Sequence, residues 1–206
     1  MTCCCETIGA PPELRRCPEH FHFWRGDRRL KGITSLIRET WPIPPDFNAA
    51  DPARLGNAKN RGVEVDGLLT SWLAGMLTEI PAGVMEDTRD LFRKLVDWWP
   101  FGEAQAQVVL DDGELVGVVD VLTGGGGGVW DLKTTYNLEP TYQLQVGGYV
   151  CLYETEHHRR PERCGIIHLT KRQKPKLVEF DPLIVASEFR AVRDMWQLCR
   201  RLGGLK

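Results

Sequence analysis

The chain has 206 residues, 42% of them hydrophobic and 26% charged, which suits one domain with a full core and excludes a disordered chain or a long coiled coil. A net charge of −2 and a pI of about 6.2 exclude a uniformly basic, histone-like binder but leave a local basic groove open. No run of about 18 apolar residues occurs, so neither a spanning helix nor a membrane partner is expected.

The chain begins MTCCCETIGAPPELRRC, with no basic start leading into an apolar stretch. A secretory signal is therefore not expected, and a soluble, cytoplasmic protein is. Seven cysteines is an odd count and argues against a disulfide framework. Cys17 with His20 and His22 is a combination able to ligate zinc. No CxxC pair supports it, and Cys151, Cys164 and Cys199 sit in apolar stretches as core thiols.

Residues 18–31 alternate around Gly26-Asp27 and predict a hairpin. Thr34 is placed to cap a helix carrying Leu36, Ile37 and Trp41, stopped by the proline-rich run WPIPPDF. Asp51 to Leu77 reads as mostly helical, and Glu86 to Trp99 as an amphipathic helix. The period then changes. Glu103–Leu110, Leu115–Leu122 and Val129–Lys133 read as strands, the last two separated by Gly124 to Gly128. These glycines lack the Gly-Lys-Ser/Thr ending of a phosphate loop and precede a strand, so they predict a hairpin connection. A helix from Thr141 to about Glu154, strands at Gly165–Leu169 and Leu177–Phe180, and a helix over Pro182–Leu202 complete the chain. This order predicts a single α/β or α+β domain, a small mixed β-sheet flanked by helices. Its first 100 residues are mainly helical, 103–180 hold the sheet, and 182–202 form the last helix. Basic groups cluster at Arg25, Arg28, Arg29 and Lys31, at Lys171, Arg172, Lys174 and Lys176, and at Arg200, Arg201 and Lys206. Each cluster alone reads as a solvated face or hairpin tip.

Two adjacent strands each carry an acid among apolar residues: Asp120 after Gly117-Val118-Val119, and Asp131 before Leu132-Lys133. Asp131 and Lys133 project from one face of their strand. A buried carboxylate is costly unless it is paired or binds a metal. Two acids and a lysine together form a hard-cation site of the kind magnesium accepts, with a positive neighbour able to orient water or stabilise charge on a phosphate. The alternative is a plain Asp131–Lys133 ion pair at a strand end. On the following helix Gln145 and Tyr149 share a face, which suits either a site or a core tyrosine beside a surface glutamine. Gly147 and Gly148 permit close approach of a sheet or ligand backbone.

The segments GVVD, VWDLKTT and YQLQVGGY, in this order, resemble the RecB-like branch of the PD-(D/E)XK nucleases. That branch includes phage exonucleases, helicase-associated nuclease domains, CRISPR adaptation nucleases and a mitochondrial single-strand exonuclease. The resemblance covers about Glu103 to Tyr153. Upstream, Arg61 to Asp66 is similar to the branch's helical Arg-Gly-x-x-x-His motif, with Asp66 where histidine is usual. LKGITSLIRETW resembles a turn and helix that often opens phage members.

The resemblance implies a restriction-endonuclease-like core and metal-assisted phosphodiester hydrolysis leaving a 5′-phosphate. Asp120, Asp131 and the Leu132 carbonyl would hold Mg²⁺ or Mn²⁺, and Lys133 would position the attacking water. Glu103 would assist a metal or its water, and Asp66 would serve as a further ligand. Gln145 and Tyr149 would hold the strand or the lysine, and Arg61 would contact substrate. The implied activity is exonuclease on single-stranded DNA or duplex ends in recombination, repair, phage replication or CRISPR adaptation, with a helicase, recombinase or CRISPR protein as partner. A structure-specific endonuclease and a degenerate nucleic-acid-binding protein are the alternatives. Trp24, Trp72 and Tyr142 are placed either to stack on bases or in the core. Some members hold an iron–sulfur cluster, for which one of Cys3, Cys4, Cys5 or Cys17 would join Cys151, Cys164 and Cys199. These last three are spread far apart, so no cluster is expected.

Overall fold

A computed structural model describes residues 13–17, 22–41 and 52–203. Cys3, Cys4, Cys5, His20, Lys206 and the proline-rich run after Trp41 lie outside the described residues.

Strands β1 (Leu14–Arg16), β2 (Phe23–Arg25) and β3 (Arg28–Arg29) form a small antiparallel sheet. The β2–β3 turn is the Gly26-Asp27 hairpin the alternation predicts, and β1 adds a strand ahead of it. A bidentate Arg25–Asp111 contact, at 2.9 and 2.7 Å, ties this sheet to the main one. Strand β4 (Lys31–Gly32) leads into α1 (Ile33–Thr40). Gly32, not Thr34, is the N-cap of α1, with no side-chain capping bond. The chain must stay extended through Gly32 to pair with the main sheet, and this leaves Thr34 inside the first turn.

Helices α2 (Pro52–Leu73) and α3 (Glu86–Trp98) follow. The first stops short of Leu77 because the chain turns at Gly75, whose φ of 69° is left-handed and freely reached by glycine. The main sheet takes β5 (Ala104–Asp111), β6 (Leu115–Thr123), β7 (Gly128–Lys133), β8 (Arg163–His168) and β9 (Lys176–Phe180). A short 3₁₀ turn at Gly124–Gly126 connects β6 to β7 as a hairpin. Helix α4 (Pro140–His157) crosses between the parallel strands β7 and β8, and α5 (Pro182–Arg201) follows β9. Asp181 caps α5, accepting from the N–H groups of Leu183 and Ile184, with Pro182 in the first turn.

Two cores lie on the two sides of the sheet. One joins α1, α4 and α5 through residues such as Leu36, Val119, Leu152, Ile166 and Phe189. The other joins α2 and α3 through Leu69, Leu91, Leu95, Trp130 and Ile167. The result is a small mixed sheet flanked by helices. The glycines in α4 serve helix packing, since a Cβ at Gly147 would come 2.1 Å from the Val185 carbonyl oxygen of α5. The close approach is that of a helix, not of a sheet or ligand. No helix among the described residues is long and apolar enough to cross a membrane.

Several members of the basic clusters are held in ion pairs. Arg25 pairs with Asp111, Arg28 with Glu114, Lys31 with Glu39, and Lys171 with Asp87. Cys151 and Cys164 are buried, and burial chiefly raises their thiols to about 11 and about 12. They are core thiols, on α4 and β8 respectively.

Candidate active site

Strand β6 pairs with β5 from Val116 to Thr123 with a break at Asp120, but its other edge is shared. β4 takes Leu115 and Val116, while β7 takes Val121 to Thr123. Between them β6 and β7 part, and Asp120 lies at the parting. Its Oδ2 accepts the Leu132 backbone N–H at 2.7 Å, replacing a ladder bond with a charge-assisted one. In an extended strand a residue's N–H and C=O point to the same edge. The Leu132 carbonyl therefore faces the same gap.

Asp131 shares its strand face with Val129, toward α4. It is completely buried. Its Oδ1 accepts from Gln145 Nε2 at 3.0 Å, and the Gln145 amide also donates to the Tyr149 hydroxyl at 2.5 Å. Its Oδ2 accepts no hydrogen bond and lies against the Lys133 ammonium as an ion pair. The Lys133 Nζ in turn sits 4.9 Å from the centre of the Tyr142 ring. A Cβ at Gly117 would come 2.7 Å from the Tyr149 ring, so the glycine of β6 and the tyrosine of α4 fit one another. The helix face that carries Gln145 and Tyr149 thus rests on both acidic strands.

The electrostatics are those of an acid cluster short of positive charge. Burial is the main force raising the Asp131 carboxyl, which the Lys133 charge opposes and Asp120 reinforces, to about 7. Burial likewise raises Asp120 against Lys133 and the Leu132 N–H. On α2, Asp66 is lifted to about 8, by burial first and by the Asp120 charge next. Burial works to lower Lys133, but Asp131 and Asp120 outweigh it and hold the amine above its ordinary range. Burial and the charges of Asp131 and Asp120 push the Tyr149 phenol well up.

Three carboxyl groups therefore face one ammonium, in surroundings where uncompensated charge is expensive. Oxygen donors with a charge deficit suit a hard divalent cation. Among the described residues no three His, Cys, Asp or Glu side chains converge closely enough to hold a metal by themselves. The donors that fit are two carboxylates, Asp120 and Asp131, with the Leu132 carbonyl. That is the sparse set magnesium uses when water and phosphate complete its shell.

The other predicted residues fall at different depths. Asp66 faces the cluster through its charge. Arg61, five residues earlier on α2, is half-buried with its Nε enclosed and without a hydrogen bond. A Cβ at its neighbour Gly62 would lie 3.6 Å from Thr134 Oγ1, so α2 passes beside the end of β7. Glu103 is exposed just ahead of β5, its carbonyl accepting from Gly124 N at 2.8 Å. It stands four strand positions, roughly 13 Å, from the residue opposite Asp120 and is not brought to the cluster. Trp72 packs edge-on to Phe92 and Trp99 at 6.4 and 5.2 Å, a core role. The Trp24 indole N–H is buried without a hydrogen bond.

The residue opposite Asp120 is Gln107, which the sequence reading passes over. Its Nε2 donates to Asp120 Oδ1 at 3.1 Å, and its φ is 53°. A left-handed glutamine inside a strand is strained by about 1–3 kcal/mol, and such strain concentrates at functional sites.

No family model and no curated protein matches the chain. Among solved structures, a candidate exonuclease of Eubacterium rectale aligns with a TM-score of 0.53 at 14% identity, covering 86% of this chain and 83% of its own. SSO0001, a Sulfolobus protein, aligns at 17% identity over 82% of this chain and 76% of its own, with a TM-score of 0.40. The first of these shows a shared nuclease-like fold, a small mixed sheet between helices.

Proposed function

We propose that the chain is a metal-dependent deoxyribonuclease of the RecB-like PD-(D/E)XK branch, acting as an exonuclease on single-stranded DNA or duplex ends. One observation carries this reading: buried Asp131, half-buried Asp120 and Lys133 meet where β6 and β7 part, with the acids short of positive charge. The exonuclease description of the structural neighbour supports it.

Asp120, Asp131 and the Leu132 carbonyl would hold Mg²⁺ or Mn²⁺. When bound, the ion supplies Lewis acidity toward the phosphodiester and lowers the pKa of a coordinated water. Lys133, held between Asp131 and the Tyr142 ring, would supply an ammonium to the attacking water and the developing phosphate charge. Gln145 holds Asp131 in its rotamer, and Tyr149 holds Gln145. Asp66 stands where the branch usually has histidine; with its carboxyl lifted to about 8 it is able to carry a proton near neutral pH. Arg61, on the same helix, is offered to a strand phosphate. Products would carry 5′-phosphates. A cytoplasmic helicase, recombinase or CRISPR protein is the class of partner proposed.

The test incubates end-labelled linear single-stranded DNA, linear duplex and circular single-stranded DNA with Mg²⁺, Mn²⁺ or EDTA. Metal-dependent loss of linear substrates alone is expected. Cutting of circles would make the enzyme an endonuclease. No cleavage with any metal would leave a degenerate nucleic-acid-binding fold.

A further inference from the structure

Helix α5 buries Val185, Phe189, Val192 and Trp196 in the core, yet it carries a second apolar line. Ile184, Met195, Leu198 and Leu202 are 53%, 55%, 48% and 77% exposed, and Ala191 is exposed among them. At about 100° per residue, Ala191, Met195, Leu198 and Leu202 fall within an arc of about 60°. Their steps of four, three and four are the alternation of a coiled-coil seam. Asp194 and Arg201 are exposed along one edge of this stripe, two turns apart. Among the described residues neither has an ion-pair partner.

We propose that this stripe is a self-association surface, on which α5 packs antiparallel against α5 of a second copy of the chain. The two-fold axis passes between positions 196 and 197. Met195 then layers against the partner's Leu198 and Ala191 against the partner's Leu202, each contact occurring twice as an isologous interface requires. The charges select the direction. An antiparallel pair sets Asp194 beside the partner's Arg201 in two symmetric ion pairs. In a parallel pair the two edges fall on opposite flanks of the seam, and neither ion pair forms.

Four side chains per copy make a small interface, below the roughly 1,200 Å² of a standard complex. The dimer is therefore weak and concentration-dependent. The surface is independent of the chemistry at Asp131, so cleavage activity neither supports nor opposes it.

Sedimentation velocity on the full chain at low salt, between about 1 and 300 μM, tests the pairing. The expected result is a monomer–dimer equilibrium that weakens with salt. Leu198→Glu should abolish the dimer. Asp194→Arg and Arg201→Asp should each weaken it about tenfold or more, by setting like charges together. The double variant D194R/R201D, which exchanges the charges, should restore the dissociation constant to within about threefold of wild type. Circular-dichroism melts of each variant confirm the fold. A monomer at every concentration would overturn the proposal. So would a dimer indifferent to Leu198→Glu, or a double variant no tighter than either single one.

Discussion

The Asp120 carboxylate meets the Leu132 amide at 2.7 Å, at the point where the β6–β7 ladder ends. One side chain thus ends the ladder and, in our reading, holds the metal. Asparagine keeps an acceptor for the Leu132 N–H while removing a buried charge. Asp120→Asn should therefore melt at or above wild type in EDTA, yet cleave at least about 10³-fold more slowly, equivalent to ~4 kcal/mol of transition-state stabilisation. Asp120→Ala should also lose activity but melt lower, since an amide left unpaired in a buried place costs about 1–3 kcal/mol. Differential scanning fluorimetry beside a cleavage assay separates the two.

Metal should bind the native state alone and stabilise it by mass action. At a concentration about 100-fold above the dissociation constant, Mn²⁺ should add about 2.7 kcal/mol, read as a rise in Tm. Asp131→Asn should remove that rise. An equal rise in wild type and variant would move the metal away from Asp131.

The pH dependence of the metal-free protein has a definite sign. Asp66 and Asp131 sit at about 8 and about 7 when folded, against an ordinary 3.8. An acid whose folded pKa is raised binds its proton more tightly in the native state. Its contribution is complete below the unfolded value and is lost as pH rises through the folded one. Stability in EDTA should accordingly fall from about pH 4 to about pH 8 and level off above, less steeply in Asp66→Asn. Saturating Mn²⁺ should flatten the fall in wild type. Chemical denaturation across this range measures it; a slope unchanged by Asp66→Asn would contradict the placement of that acid.

Two backbone positions hold the site in shape. Gln107→Gly relieves the left-handed φ and should keep stability within about 1 kcal/mol of wild type while lowering cleavage, because the Asp120 carboxylate loses a donor. Gln107→Val should destabilise more, by about 2 kcal/mol, since a β-branched residue resists that conformation. Gly117→Ala drives a methyl group into the Tyr149 ring and should cost about 1–3 kcal/mol. Urea titration gives the stabilities and single-turnover rates the activities.

The sheet was legible because its strands are short apolar runs bounded by turn residues, and Asp120 and Asp131 were legible because each interrupts such a run. Lys133, two residues on from Asp131, followed from the alternation of faces along a strand. Gln107 was not legible, since in AQAQVVL it reads as an ordinary outward residue, and its φ is set only when Asp120 comes to lie opposite. Thr34 reads as a cap until the pairing of β4 with β6 places the helix start at Gly32. Glu103 reads as part of the first strand, but the hairpin register puts it beside Gly124, away from the acids. In each of these cases a long-range contact decides what local pattern cannot.

Cleavage by Lys133→Ala decides whether the cluster of Asp120, Asp131 and Lys133 is catalytic. Wild type and variant are compared on linear single-stranded DNA in Mg²⁺, under single turnover, with Mn²⁺ binding measured in parallel. The expected result is a fall of at least about 10³-fold in rate with Mn²⁺ binding retained, because the two carboxylates remain. A variant that cleaves as fast as wild type would contradict the assignment of Lys133, and with it the site.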